Sequence, residues 1–229
     1  VHASGRFTVD VLRDRQGPTF DIGVDGSVAE LHALDVRPAQ RHLLLVVKRG
    51  ETSKFLCGHD ERDWFAAAIP SAGSVTNVHQ AMDALKPPVL RSLLVARHVK
   101  HSRWNRRRTA AFVRQGEWFF VPEPKVQVDP LLVLCNEPLS RGRGKAHWVE
   151  YLCRSGGDIV YVSNEHPGGL TFSDRQKLFS RQPHKQRLKW VLMRRNPSVY
   201  ARGRVRHPGH KTGCLDGWHQ VLMNTENQA

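Results

Sequence analysis

Short runs of alternating or wholly apolar residues, each closed by glycine, proline, asparagine or aspartate, recur along most of the chain, and this punctuation constrains the fold most. Arg6–Val11 and Thr19–Val24 alternate on either side of the turn Gln16-Gly17-Pro18. Arg41–Arg49 and Ser53–Cys57 read as two strands joined across Gly50, and the unbroken run Leu43–Val47 predicts a strand buried on both faces. Further strands are expected at Glu117–Val121, Leu131–Cys135, His147–Cys153, Asp158–Ser163, Trp190–Met193, Val199–Arg206 and His219–Asn224.

Few segments carry a helical period. Ser74 is placed to cap a helix with Val75, Val78, Met82 and Leu85 on one face, and a second helix is predicted from Pro88 to Arg97. A short helix is also expected over Asp60–Ala68, and another over Asp174–Arg181, capped by Thr171 or Ser173. The fold class expected is therefore α+β and β-rich. A small N-terminal α+β unit would precede a C-terminal β-barrel or sandwich-like domain with one helix.

Two units suit a chain of 229 residues, and charge marks the border. Residues 1–95 hold 11 Lys/Arg and 11 Asp/Glu, whereas residues 96–229 hold 24 and 10, so the second part carries the whole net charge of +14. The organisation expected is a neutral unit over 1–95, a basic linker or arm over 96–114, and a basic β-rich domain over 115–229. The excess falls in two acid-free stretches, Arg97 to Arg114 and Arg175 to Lys211.

Cations this dense repel one another unless something neutralises them, and a phosphate backbone does so while releasing condensed counterions. Arginine predominates, and its planar fork pairs with phosphate and stacks on bases. The residues expected to contact nucleic acid are Arg97, Lys100, Arg103, Trp104, Arg106, Arg107 and Arg108 in the first stretch. The glycine-rich loop adds Arg141, Arg143 and Lys145. The second stretch contributes Lys185, Arg187, Lys189, Arg194, Arg195, Arg202, Arg204, Arg206 and Lys211. Interleaved aromatics tilt the expectation toward RNA or single-stranded DNA.

No window of about 18 apolar residues is present, so no membrane-spanning helix and no membrane partner are expected. Four widely spaced cysteines fit reduced thiols and a cytoplasmic location. The neutral N-terminal unit is the expected docking site for any protein partner.

For chemistry, the densest set is His207-x2-His210-x3-Cys214-x4-His219. Pro208-Gly209 suits the centre of a type II turn, which would bring His207 and His210 together. With Cys214 and His219 they would form a tetrahedral zinc set, although no Cys-x-x-Cys accompanies them. Cys57-Gly58-His59-Asp60-Glu61-Arg62-Asp63-Trp64 concentrates polar groups in the neutral half, but adjacent side chains diverge, and capping of a helix explains them as well. His147 and Glu150 have the spacing of zinc deaminases without the required Pro-Cys-x-x-Cys.

Three blocks carry a family likeness: Arg114-Gln115-Gly116-Glu117-Trp118-Phe119-Phe120-Val121-Pro122, the segment Gly144-Lys145-Ala146-His147, and Arg204–Glu226 with His207-Pro208-Gly209-His210. They resemble an uncharacterised family of bacterial and phage-borne proteins with an Arg-Gln-Gly-acid start, a Gly-His-x-His segment and a His-x-x-His end. Here Trp148 and Val149 follow His147, so the middle block keeps one histidine. The resemblance covers residues 114–226 and implies a compact β domain with no assigned activity.

The function expected from these features is nucleic-acid binding through the arginine-rich C-terminal part. Two alternatives stand beside it: a metal-dependent hydrolase or nuclease using the His/Cys set, and a basic subunit of a larger protein or ribonucleoprotein assembly.

Overall fold

A computed structural model describes residues 2–4, 7–15, 17–24, 30–49, 51–70, 74–141 and 144–226. The chain opens with a three-stranded antiparallel sheet, β1 (His2–Ser4), β2 (Phe7–Asp14) and β3 (Gly17–Val24). A four-stranded meander follows: β4 (Glu30–Arg37), β5 (His42–Arg49), β6 (Glu51–Asp60) and β7 (Asp63–Ala68).

Leu44, Leu45, Val46 and Val47 are all buried, as the unbroken apolar run requires. Leu44 and Leu56 face one core, whereas Leu45, Val47, Phe55 and Cys57 face another, against Phe20 and Ile22 of β3. The helix expected over Asp60–Ala68 is instead the turn and strand β7. Asp63 to Ala68 pair with β6 from Asp60 back to Phe55, and Phe65 and Ala67 go to one core while Ala66 and Ala68 go to the other. Pairing with a neighbour overrides the helical preference of three consecutive alanines. Glu61 takes up a left-handed backbone, φ 55°, at the tight turn.

Helix α1 (Val78–Ala84) is capped by Asn77, whose side chain accepts from the Gln80 amide at 3.0 Å. The cap therefore falls three residues after Ser74, while Val75, Val78 and Leu85 still close the core over β5 and β6. Helix α2 (Pro88–Ala96) starts with proline in its first turn. Its Leu90 and Leu94 are fully buried against Phe112, Phe119 and Val121, so this helix of the neutral part packs on the sheet of the basic part.

That larger sheet has six antiparallel strands in the order β10-β11-β15-β16-β9-β8. They are β8 (Val113–Gln115), β9 (Trp118–Pro122), β10 (Val133–Leu139), β11 (His147–Ser155), β15 (Ser198–Arg206) and β16 (Gly213–Met223). Among the described residues β10 and β8 remain edges, so the sheet is open and forms no closed barrel. Strand β9 is buried on both sides: Trp118 and Phe120 join Val149, Leu152, Ala201, Val205 and Leu215, while Phe119 and Val121 meet α2.

Between β11 and β15 the chain leaves this sheet. It builds a separate three-stranded sheet in the order β13-β12-β14, from β12 (Asp158–Ser163), β13 (His166–Leu170) and β14 (Val191–Arg195), with helix α3 (Phe172–Arg181). Thr171 caps α3, accepting from the Asp174 amide at 3.2 Å. Ser155 and Ser198 lie opposite each other, so this excursion leaves and returns at one point. No helix among the described residues is long and apolar enough to cross a membrane.

Candidate metal centre

Strand register assembles the site. Trp148 of β11 lies opposite Arg206 of β15, which sets His147 beside His207, the next residue along each strand. The chain then turns through Pro208-Gly209, with the His210 amide donating to the His207 carbonyl at 3.2 Å. The rings of His147 and His207 stack with centroids 4.2 Å apart, and His210 lies 5.3 Å from His147 and 4.7 Å from His207. One ring nitrogen of each falls within 4.8 Å of the other two.

His207 and His210 thus converge as expected, but Cys214 and His219 do not join them. Both lie on β16, where Cys214 faces Arg204 and His219 faces Ala201. At about 3.3 Å per residue, the six residues from Gly213 carry His219 roughly 20 Å up the strand. Its Nδ1 lies 2.8 Å from the Gly217 carbonyl instead. His147 takes the third place. The expected type II turn also differs, because Gly209 does not adopt a positive φ. A Cβ at Gly209 would meet the end of the Asp63 side chain, which would have to turn aside.

The imidazoles are held neutral. Burial, with His207 and His210 alongside, pushes His147 down to about 3. Burial likewise lowers His207 and His210. His147 is 1% exposed, and neither of its ring nitrogens has a hydrogen-bond partner. A buried polar group left unpaired costs on the order of 1–3 kcal/mol. Neutral, converging imidazole nitrogens are what a borderline-soft divalent cation takes as ligands, and both of His147 are unpaired.

The surrounding groups come from both parts of the chain. Glu61, in the β6–β7 turn, places Oε2 3.5 Å from His210 Nδ1, and the same oxygen accepts from the Lys211 amide. Glu61 and His210 form no hydrogen bond, so Glu61 acts on His210 through its negative charge. Asp63, from the same turn, and Glu117, after β8, both act on the charge of His207. Burial raises the Glu117 carboxyl above its ordinary range. His207 Nδ1 accepts from the Gly209 amide at 3.0 Å, which fixes its ring.

The tripeptide Arg114-Gln115-Gly116 has three separate tasks here. Arg114 pairs with Asp60 at 3.3 Å and, with Arg107, pins the acidic turn. Burial opposes ionisation of Asp60, but the two guanidiniums outweigh it and hold its carboxyl below the usual range. Gln115 donates to the Lys211 carbonyl at 2.6 Å, fixing the far side of the histidine turn. Gly116, at φ 58°, leaves open the space faced by His210 Nε2 and His147 Nε2. The three blocks singled out in the sequence therefore meet at one place.

The expected nucleic-acid residues divide by location. Arg97, Lys100, Arg103, Arg106 and Arg108 are exposed on a segment that lies against the fold rather than running free. Trp104 packs beside α2 and donates to the Val99 carbonyl at 2.9 Å, and Arg107 is committed to Asp60 and Glu61. Arg141 is nearly buried, bound to Glu226 and Asn224, so it is a structural tie. Lys145 is exposed, its backbone bonded to His207, and Arg143 lies outside the described residues.

Arg202, Arg204 and Arg206 alternate on the outer face of β15 and end at His207; Arg204 pairs with Glu150 at 3.1 Å. Lys211 is exposed just past the histidine turn. Lys185 and Arg195 pair with Glu165 and Asp158, whereas Arg187, Lys189 and Arg194 form no ion pair with a described residue. Glu61 and Asp63 stand out in the sequence only as part of a polar cluster, and Gln115 and Gly116 only within a family-like block, with nothing to tie them to the histidines. His147 has its place in the block Gly144–His147 and its spacing to Glu150, but its partner strand is not visible there. Compared with known protein families, with curated proteins and with solved structures, this chain has no match.

Proposed function

We propose that this protein is a metal-dependent hydrolase of phosphodiester bonds in nucleic acid, with His147, His207 and His210 holding one divalent ion, zinc being the best chemical fit. The observation that carries this reading is the triangle of neutral imidazole nitrogens, with both nitrogens of His147 buried and unpartnered. Three protein ligands leave a coordination position open, as catalytic zinc sites do. The arginines of β15, which lead to His207, support a polyanionic substrate.

An ion held by His147, His207 and His210 would supply an acidified water molecule. A flanking carboxylate, Asp63 or Glu117, would accept that water's proton. The oxygen so activated would attack phosphorus as the bond to the leaving oxygen breaks, and the leaving oxygen would recover the proton from that carboxylate. Glu61 places negative charge beside His210, and Arg107 with Arg114 holds the acidic turn in place.

The test combines elemental analysis with hydrolysis of bis(p-nitrophenyl) phosphate and of a labelled oligonucleotide. One zinc or manganese per chain, lost in His147→Ala, and hydrolysis abolished by chelation are expected. Absence of bound metal from protein purified without chelator and supplied with zinc overturns the reading.

A further inference from the structure

The excursion between β11 and β15 is unlike the rest of the fold in what it leaves uncovered. Ile159, Phe172, Val191, Leu192 and Met193 are all between 48 and 60% exposed, and Val160 is the one fully buried apolar side chain among its described residues. Residues 156–197 hold eight Lys/Arg and three Asp/Glu, a net charge of +5. All three acids are already used: Asp158 pairs with Arg195 at 3.3 Å, Asp174 with Lys177 at 3.8 Å, and Glu165 with Lys185. Arg175, Arg181, Arg187, Lys189 and Arg194 are left without an acidic partner among the described residues.

Ile159, Leu192 and Phe172 gather on one face, whereas Val191 and Met193 point to the other side of the sheet with Val160 and Val162. Ile159 and Tyr161 alternate on one side of β12, with Arg194 and Leu192 opposite them on β14. Helix α3 adds Phe172 next to Tyr161, ring centroids 6.4 Å apart, and lays the Arg175 guanidinium 3.5 Å over the Tyr161 ring. This is a small sheet face of planar and apolar groups with Arg175 and Arg194 among them, the composition that holds unpaired bases and their backbone together. A second copy of the chain would bring its own unmatched Arg175 and Arg194 to the same face, and an acidic peptide would leave the planar groups without stacking partners.

Position gives the face a purpose. Strand β15 starts at the excursion and ends at His207, and its nine residues span about 30 Å. Arg202, Arg204 and Arg206 line that path. We propose that residues 156–197 form a docking arm for single-stranded nucleic acid, which then lies along β15 toward the histidine centre. This rests on the proposed function only for what happens at the centre, because binding at the arm needs no metal.

The experiment measures anisotropy of fluorescein-labelled dT20 in chelator, at several salt concentrations. One variant excises residues 156–197 and joins Ser155 to Ser198 through Asn-Gly, a two-residue turn suited to antiparallel partners. A milder one carries Arg181→Gln, Arg187→Gln and Lys189→Gln, all exposed positions, and a third is Phe172→Ala. Excision is expected to weaken dT20 binding at least tenfold while zinc content, measured separately, stays at the wild-type value. The triple variant is expected to flatten the log–log salt dependence by about two units, and Phe172→Ala to weaken binding several-fold without changing that slope. Affinities within twofold of wild type in both the excision and triple variants overturn the proposal. So does duplex DNA binding as tightly as dT20, or displacement of dT20 by poly-glutamate at equal charge, which would mark an acidic protein surface. Failure of the wild-type protein to bind zinc, with dT20 binding and its loss on excision retained, would overturn the hydrolase reading alone.

Discussion

Replacing Gly116 with alanine adds one methyl group where the histidine rings face each other. The new Cβ would lie 2.9 Å from His210 Nε2 and 3.2 Å from His147 Nε2, closer than such atoms settle. Gly116 also sits at φ 58°, where an L side chain costs about 1–2 kcal/mol. Gly156 separates the two effects, because its φ is 71° and a Cβ there meets nothing within 4 Å. Both Gly116→Ala and Gly156→Ala are therefore expected to lose about 1–2 kcal/mol in urea unfolding of the metal-free protein.

Only Gly116→Ala should also lose metal. The contacts are with ring atoms at the ends of side chains, which can swing aside, so the fold survives while the nitrogens move off their positions. Disturbing ligand orientation typically costs 10–100-fold in affinity, which is about 1.4–2.8 kcal/mol. Competition titration with a chromophoric zinc chelator reads this directly. Zinc affinity in Gly116→Ala within twofold of wild type, or an equal loss in Gly156→Ala, would refute the argument that Gly116 keeps the site open.

Glu61→Gln should lower zinc affinity about tenfold with unfolding midpoint little changed, since the amide removes the negative charge 3.5 Å from His210; an unchanged affinity removes Glu61 from the centre. Metal-free protein should lose stability in acid. The folded pKa of His147 lies near 3 against an ordinary 6.5, so the unfolded chain binds its proton first, and stability falls as pH drops through 6.5 toward 3. About 2–3 kcal/mol should vanish between pH 7 and 4.5 from this group, measured by urea unfolding, and His147→Asn should flatten the slope. Maleimide at pH 7.5 should label Cys135 and Cys214, which are exposed, and spare Cys57, whose thiol burial pushes up to about 12; rapid labelling of Cys57 in the folded protein contradicts its placement in the core.

Much of the architecture was legible locally. The apolar run at Leu43–Val47, the proline opening α2 and the threonine cap of α3 each act through their own backbone or immediate neighbours, so their patterns survive in the linear text. Asp60–Ala68 was misread because its alanines favour a helix and its strand pairing with Phe55–Asp60 is a contact the segment does not itself encode. The acidic turn 60–63 lies more than 140 residues from His207 in sequence, and no periodicity links them.

The division at the histidine centre follows the same physics. By itself the sequence determined that the chain would be β-rich, that its positive charge would gather in two acid-free stretches, and that His207 and His210 would meet across a four-residue turn, because composition and short-range geometry suffice for these. Only the tertiary structure decided that His147 and not Cys214 or His219 completes the set, because a ligand's identity depends on the register between β11 and β15 and on which residues a strand carries away. It also decided how much charge stays unmatched: Arg107, Arg141, Lys185, Arg195 and Arg204 find acids distant in sequence, while Arg175, Arg181, Arg187, Lys189 and Arg194 of the arm and Arg202 and Arg206 of β15 form no ion pair with a described residue.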